Sequence, residues 1–174
     1  MKTENCFLME YPSPVGLLTL AADDTAVVGL WMAGQKYFAK TLPREPQWKA
    51  APALAKASAW LDSYFAGERP EVMPPLAPKG TPFQQAVWKE LLAIPYGELA
   101  TYGAIAARLN SSARAVGSAV GHNPVSILIP CHRVVGGDGS LTGYAGGLER
   151  KIQLLNLEGV DTGGLRIPRR GTAL

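Results

Sequence analysis

Between Glu71 and Gly80 the chain carries Pro74, Pro75 and Pro78, and this stretch constrains the fold more than any other. Each proline removes a backbone donor and fixes φ, so neither a helix interior nor a central strand can run through the segment. It reads as a linker that splits the chain into residues 1–79 and residues 80–174. A helix start follows at once. Thr81 is a good N-cap, Pro82 suits the first helical position, and Gln84 completes a capping box.

The front part reads as β-rich. Cys6 to Tyr11 alternates loosely, and Pro12-Ser13-Pro14-Val15-Gly16 is a turn. Leu17 to Ala22 is a second strand, and Asp23-Asp24 turns the chain into a third over Val27 to Met32. Strands joined at this spacing predict a small antiparallel sheet. Ala51 to Phe65 then has helical composition, with Leu54, Trp60, Leu61 and Tyr64 as core contacts and Gly67 and Pro70 beyond its end.

The back part reads as helical. Phe83, Val87, Leu91 and Ile94 mark one face of the first helix, and Pro95-Tyr96-Gly97 breaks it. Thr101 caps a short helix to about Leu109. Asn110-Ser111-Ser112 is a tight turn, and Ser112 caps another helix from Ala113 to Val120. Two short helices across such a turn have the shape of a helix-turn-helix, which fits a nucleic-acid groove as well as a plain core. Gly136 to Ser140 reads as a flexible loop. Leu148, Ile152 and Leu155 mark a last helix, with Gly159 just past its end.

Charge sharpens the contrast. Residues 1–79 hold eight basic and eight acidic side chains, whereas residues 80–174 hold nine basic and six acidic, which accounts for the net +3. From Leu99 to Gly137 there is no Asp or Glu, while Arg108, Arg114 and Arg133 lie there and Arg166, Arg169 and Arg170 add a basic tail. An anionic partner and a mildly basic solvated surface both fit. The two cysteines, Cys6 and Cys131, sit in unlike contexts and form no disulfide framework, which favours a reducing, cytoplasmic setting. No run has the length of a membrane span, and the first eleven residues lack the apolar core of a signal peptide.

Chemistry concentrates at Pro130-Cys131-His132-Arg133-Val134. The apolar run Ile127-Leu128-Ile129 before it predicts a buried strand ending at Pro130, with Cys131 held rigidly near the surface. A thiol acts as a nucleophile only as thiolate, and an adjacent imidazole can take its proton. A small buried hydrophobe is the bland alternative. Glu158 falls at a helix C-terminus, where the dipole disfavours it by roughly 0.3–1 kcal/mol. It is either a frayed end, whose neutralisation costs nothing, or the partner of an imidazole.

Several sparse motifs then occur in order. They are Arg114-Ala115-Val116-Gly117, Asn123-Pro124, Ile129-Pro130-Cys131-His132-Arg133-Val134, Gly143-Tyr144-Ala145-Gly146-Gly147-Leu148, and Glu158-Gly159. Together they closely resemble the O6-alkylguanine-DNA alkyltransferases, also called methylated-DNA–protein-cysteine methyltransferases. The match is strong from Gly80 to Gly159, and the first 79 residues share only the general character. The resemblance implies an α+β protein: a small N-terminal β-sheet domain of ribonuclease H-like type, then a mainly helical domain with a helix-turn-helix.

The resemblance also implies roles. Cys131 is the alkyl acceptor, His132 the base acting through a bound water, and Glu158 the group that holds and polarises His132. Asn123 braces the turn after the recognition helix. Tyr102 hydrogen-bonds the minor-groove edge of the flipped guanine. Arg114 enters the duplex in place of the extruded nucleotide, on a helix whose Ala115, Gly117 and Ser118 approach the DNA. The backbone at Cys131 and Val134, with Tyr144 and Ala145, reads the base, and Arg133 is structural. The implied partner is double-stranded DNA containing O6-alkylguanine, with O4-alkylthymine left open, and the protein is expected to be a monomer consumed in one reaction. No metal or organic cofactor is implied. The vertebrate members' N-terminal zinc is not expected here, since residues 1–79 contain Cys6 and no histidine. Two rivals remain: a lesion-binding alkyltransferase-like module that does not transfer, against which Cys131 argues, and a cysteine-dependent hydrolase.

Overall fold

A computed structural model describes residues 4–167. The chain divides into two compact units. The first comprises residues 1–79 together with Pro124–Leu128, and the second comprises Gly80–Asn123 with the chain from Ile129 onward.

The first unit is built on a four-stranded sheet. β1 (Phe7–Ser13), β2 (Gly16–Ala22) and β3 (Val27–Met32) form an antiparallel meander, and β4 (Gln47–Trp48) pairs parallel to β1 at the opposite edge, giving the order β3-β2-β1-β4. The meander follows the predicted strands closely; the two-residue β4 carries no periodicity from which to read it. α1 (Pro52–Phe65) packs on β1, β2 and β3, and buries Leu54, Ala57, Trp60, Leu61 and Tyr64. It ends in a Schellman motif with Gly67 at φ 84°, Gly67 N–H reaching Tyr64 O and Glu68 N–H reaching Ser63 O.

Two expectations for this region change. The proline-rich 71–80 segment is not simply a linker. Val27 N–H donates to Pro75 O and Ala77 N–H to Val27 O, so the segment joins the free edge of β3 through a bridge at Leu76. Prolines suit this place because an edge needs only some of its donors. The strand expected over Ile127–Ile129 is also absent. Leu30 N–H bonds Pro124 O and Ser126 N–H bonds Leu30 O, after which the chain turns with Ile127 at φ 70°. A left-handed β-branched residue ends any strand there and stores backbone strain. The run is apolar because it is buried in turns.

The second unit is helical: α2 (Pro82–Leu92), α3 (Tyr102–Arg108), α4 (Ala113–Gly121) and α5 (Leu148–Leu157). Every N-cap expected here forms. Thr81 and Gln84 make a reciprocal capping box, Thr101 Oγ1 accepts from Ala104 N–H, and Ser112 Oγ accepts from Ala115 N–H. Asn110 closes α3 at φ 50°, with Ser111 N–H on Ala106 O, so a Schellman motif makes the turn of the helix-turn-helix. Val87 and Leu91 are fully buried with Trp88, whose Nε1 donates to Ala119 O of α4. Phe83, expected on the inner face, is 36% exposed. A short parallel pair, β5 (Ala100–Thr101) with β6 (Val134–Val135), joins the start of α3 to the chain just beyond Cys131. The glycine-rich 136–140 loop is pinned: Gly136 N–H bonds Ser140 O, and Arg166 N–H and O pair with Gly139 O and Leu141 N–H. Arg166 thus lies on the loop beside Asp138, while Arg169 and Arg170 fall outside the described residues.

Candidate active site

The chain reaches Cys131 through a sharp detour. α4 ends at Gly121, and Asn123 follows with its N–H on Val120 O. The Asn123 side chain, itself buried, donates from Nδ2 to Ile129 O at 2.9 Å. It therefore staples together the two ends of the 124–128 excursion. Cys131 N–H turns back onto the same Ile129 carbonyl at 2.8 Å, and Cys131–Arg133 form one turn of 3-10 helix before β6 begins. Cys131 thus sits in a tight turn and not at a strand mouth, and at 3% exposure it is buried where a surface position was expected.

Three ionisable side chains, His132, Arg133 and Glu158, meet next to it in the chain. His132 Nε2 lies 2.5 Å from Glu158 Oε2, and both side chains are fully buried. Glu158 Oε1 accepts from Arg133 Nε at 2.7 Å and from Gly97 N–H at 3.0 Å. Arg133 also donates to Ile94 O at 2.7 Å and lies over the Tyr96 ring. Glu158 is therefore no frayed end. It is the C-cap of α5, held by a Schellman motif in which Gly159 sits at φ 82° and Val160 N–H bonds Leu155 O. Its carboxylate joins the break after α2, the 3-10 turn and the last helix.

The electrostatics follow from this packing. Burial pushes the Glu158 carboxyl up, but the hydrogen bonds and charge of His132, with Arg133 and Gly97 N–H, reverse that and hold it well below the carboxylate range. Burial pushes the His132 imidazole down against the pull of Glu158. Burial also pushes the Cys131 thiol up, opposed by Asn123, Lys151 and Tyr144. The resting site is thus a thiol, a neutral imidazole and a carboxylate whose charge Arg133 balances. With Nε2–H donated to Glu158, Nδ1 is the ring nitrogen left basic, so the carboxylate sets the tautomer.

Tyr102 opens α3 directly after the β5–β6 pair, and it is buried. Burial pushes its phenol up, so it keeps its proton. Tyr102 Oη and Thr142 Oγ1 are buried without a hydrogen-bond partner of normal geometry among the described residues. Unpaired buried polar atoms cost roughly 1–3 kcal/mol each, so a pocket keeping them suits a ligand that supplies partners. Val134 and Tyr144 are buried, and Ala145 is half-buried.

On α4, Arg114 and Ser118 are exposed and Ala115 is half-buried. Gly117 is a correction to its expected place against DNA: it is buried with Val116 and Val120 on the inner face. The spacing by itself did not say which small residues faced inward. Among the described residues Arg114 makes no ion pair, and it lies in the acid-free stretch.

Sequence reasoning missed Lys151. Its side chain is 0% exposed, and Nζ donates to Val134 O at 2.6 Å and Thr142 O at 3.1 Å. The signal was present, since a lysine at 151 interrupts the apolar face of Leu148, Ile152 and Leu155. Among the described residues no three His, Cys, Asp or Glu side chains converge as a metal site.

A buried thiol, an imidazole paired to a carboxylate and a helix-turn-helix in the same unit are the parts that a nucleic-acid-acting protein with a cysteine nucleophile would use. Known proteins fit that class. Residues 82–160 match the 6-O-methylguanine DNA methyltransferase DNA-binding domain, and residues 9–78 match the ribonuclease-like domain of the same proteins. A Mycobacterium tuberculosis protein named methylated-DNA–protein-cysteine methyltransferase is 49% identical over 149 residues, covering 84% of this chain and 88% of its own. A constitutive Bacillus subtilis protein of that name is 43% identical over 153 residues, covering 86% and 93%. The crystal structure of Mycobacterium tuberculosis OGT in complex with DNA superposes with a TM-score of 0.77 at 44% identity, covering 88% of this chain and 92% of that one. The chain belongs to the O6-methylguanine DNA methyltransferase family.

Proposed function

We propose that this protein repairs double-stranded DNA by moving the alkyl group of O6-alkylguanine onto Sγ of its own Cys131. The observation that carries the reading is the buried His132–Glu158 pair next in the chain to the buried Cys131 thiol, in the unit that bears the helix-turn-helix. The kinship with methylated-DNA–protein-cysteine methyltransferases supports it.

The step balances without an added reactant. His132 Nδ1 takes the thiol proton, directly or through one water, and Glu158 stabilises the imidazolium that results. The thiolate attacks the alkyl carbon in line, the S–C bond forms, and the C–O6 bond breaks with its electron pair leaving on guanine. Tyr102, which retains its proton, donates to the ring nitrogen on the departing base. The displacement calls for no metal or organic cofactor. The thioether formed is inert, so one molecule of protein acts once.

Base extrusion, domain roles and residue roles belong to the same proposal. O6 is hidden in the stack, so the nucleotide must leave the duplex. Arg114 holds the gap, with Ala115 and Ser118 beside it on the exposed face of α4. Residues 80–174 bind DNA and accept the alkyl group, while residues 1–79 form the companion domain. The protein acts as a monomer in the cytoplasm, where two free cysteines stay reduced. No helix among the described residues is long and apolar enough to cross a membrane.

The test is intact-mass spectrometry with peptide mapping after incubation with O6-methylguanine duplex. Gain of one methyl group on Cys131, at one equivalent and without turnover, is expected. Binding without mass gain would make the chain a lesion-recognition module, and catalytic release of product would make it a hydrolase.

A further inference from the structure

We propose that Gln35 and Ser126 are positioning residues for alkyl transfer: their buried hydrogen bond anchors the Pro124–Leu128 excursion to the turn that ends β3, and so holds the strained turn at Ile127 that sets where the chain enters Cys131. The proposal rests on the functional reading above and adds two residues to it.

The path from α4 to Cys131 makes two three-residue turns in succession. Leu128 N–H bonds Ser126 O at 2.8 Å with Ile127 at φ 70°, a γ-turn of the rare and strained hand. Cys131 N–H bonds Ile129 O at 2.8 Å with Pro130 at φ −81° and ψ 65°, a γ-turn of the common hand. The first is costly for isoleucine, whose branched side chain opposes positive φ. Such a conformation persists only where its surroundings over-determine it.

Those surroundings can be named. Before Ile127 the excursion is held on β3, with Leu30 N–H on Pro124 O at 2.9 Å and Ser126 N–H on Leu30 O at 3.0 Å. Side chains add a further bond. Gln35 Oε1 accepts from Met32 N–H at 2.7 Å and from Ser126 Oγ–H at 3.3 Å, while Gln35 Nε2 donates to Lys36 O at 3.5 Å. Gln35 is thus fixed on its own turn before it reaches Ser126. Both side chains are buried. A buried amide brings a desolvation cost that an apolar residue would avoid, so it suits a place where backbone must be held. Beyond Ile127, the Asn123 amide on Ile129 O closes the excursion. The strained residue is therefore gripped on both sides. Were Ile127 to relax to negative φ, the chain would enter the Cys131 turn from another direction. In-line displacement tolerates little of this, since a 1 Å misplacement of a reacting atom costs about 10²-fold in rate.

The experiment compares native protein, S126A, Q35M and the double variant, with two rates read on folded protein. One is single-turnover transfer at saturating O6-methylguanine duplex. The other is modification of Cys131 by iodoacetamide, located by peptide mapping, with Cys6 as the internal control. Each single variant is expected to transfer roughly tenfold more slowly, with duplex affinity unchanged. Iodoacetamide should react several-fold faster at Cys131 and at the native rate at Cys6, because a loosened turn exposes the thiol while spoiling its aim. The double variant should be no slower than the slower single one, since both substitutions remove the same bond. Native transfer in S126A, the smaller change, overturns the assignment whatever Q35M does. So do losses that multiply in the double variant, and slowed transfer with no change toward iodoacetamide. A lowered melting temperature with both rates native overturns it as well, since the bond would then serve stability alone. Failure of the native protein to gain an alkyl group would instead overturn the functional reading, and the iodoacetamide rates would still report on the anchor.

Discussion

Cys6 and Cys131 are equally buried, at 4% and 3% exposure, and burial pushes both thiols up, yet their surroundings differ in kind. Cys6 packs in the first unit against Leu8, Ala21 and Trp31, an apolar cluster beside the sheet. Two charges act on it in opposite directions, Lys79 favouring and Asp23 opposing its ionisation. It also lines a cleft of about 480 Å³ with Glu4, Asp23, Asp24 and Lys79, where no imidazole is at hand because residues 1–79 contain no histidine. The polar groups that act most on Cys131, namely Asn123, Lys151 and Tyr144, each favour the thiolate. An imidazole with a fixed tautomer follows it in the chain. Burial therefore does not distinguish Cys6 from Cys131, the proposed acceptor. The alignment of the surrounding dipoles and charges does.

The sharpest attempt to break this comparison is to exchange the thiols' fates. Cys131→Ala should abolish transfer, a loss of more than about 10³-fold, while duplex binding persists because α4 is untouched; Cys6→Ala should transfer at the native rate. Intact mass decides between them, and labelling of Cys6 in either protein would undo the contrast. Next comes the line behind Cys131. Glu158→Gln should slow transfer by about 10²-fold and move the rate–pH curve to higher pH, because the imidazole loses the carboxylate that raises its proton affinity. Removing a charge from a helix C-terminus suggested no loss of stability, but Glu158 also pairs with the buried Arg133. Leaving that guanidinium uncompensated should destabilise by about 3 kcal/mol at neutral pH.

The pH dependence of that stability has a definite sign. The carboxyl's folded value lies below its ordinary value of 4.5. Its contribution is therefore fully present above about pH 4.5 and is lost as pH falls through the depressed folded value. The melting curves of native protein and Glu158→Gln should separate at neutral pH and converge in acid. Parallel curves at all pH would mean that the carboxylate does not ionise differently on folding.

Arg114→Ala should lower transfer from duplex by roughly tenfold or more and leave transfer from a free base unchanged, since only the duplex requires extrusion. Equal losses on both would move Arg114 from the DNA to the fold. The smallest effect belongs to Gly159→Ala. At φ 82° an alanine should cost about 1 kcal/mol, a melting shift of roughly 2–4 °C, with a modest rate loss as the Glu158 cap shifts. No shift in melting would mean that the Schellman geometry is not needed to seat Glu158.

Local signals carried most of the fold. Thr81, Thr101 and Ser112 each cap the helix expected of them, and the three meander strands form where expected, with β1 running on through Pro12 and Ser13 into the expected turn, because caps and alternation act over a few residues. The misses share one cause. Ile127-Leu128-Ile129 is apolar because it is buried, and a short apolar run does not distinguish strand from buried turn. Gly117 and Ser118 read alike as small, but the packing of Val116 and Val120 sends one inward and the other out. The 71–80 prolines suggested a free tether, and an unpaired edge of β3 captured it.

The order of motifs from Arg114 to Gly159 determined by itself the family, the candidate nucleophile and its neighbouring base, since these depend on residue identity along the chain. Tertiary structure decided who acts on whom. Glu158 reaches His132 across 26 positions, Arg133 balances the Glu158 carboxylate, and Lys151 turns from an oddity on an apolar helix face into a buried lysine bonded to two carbonyls. Ionisation depends on desolvation and on charges brought within a few ångströms through space, and neither is written in sequence distance.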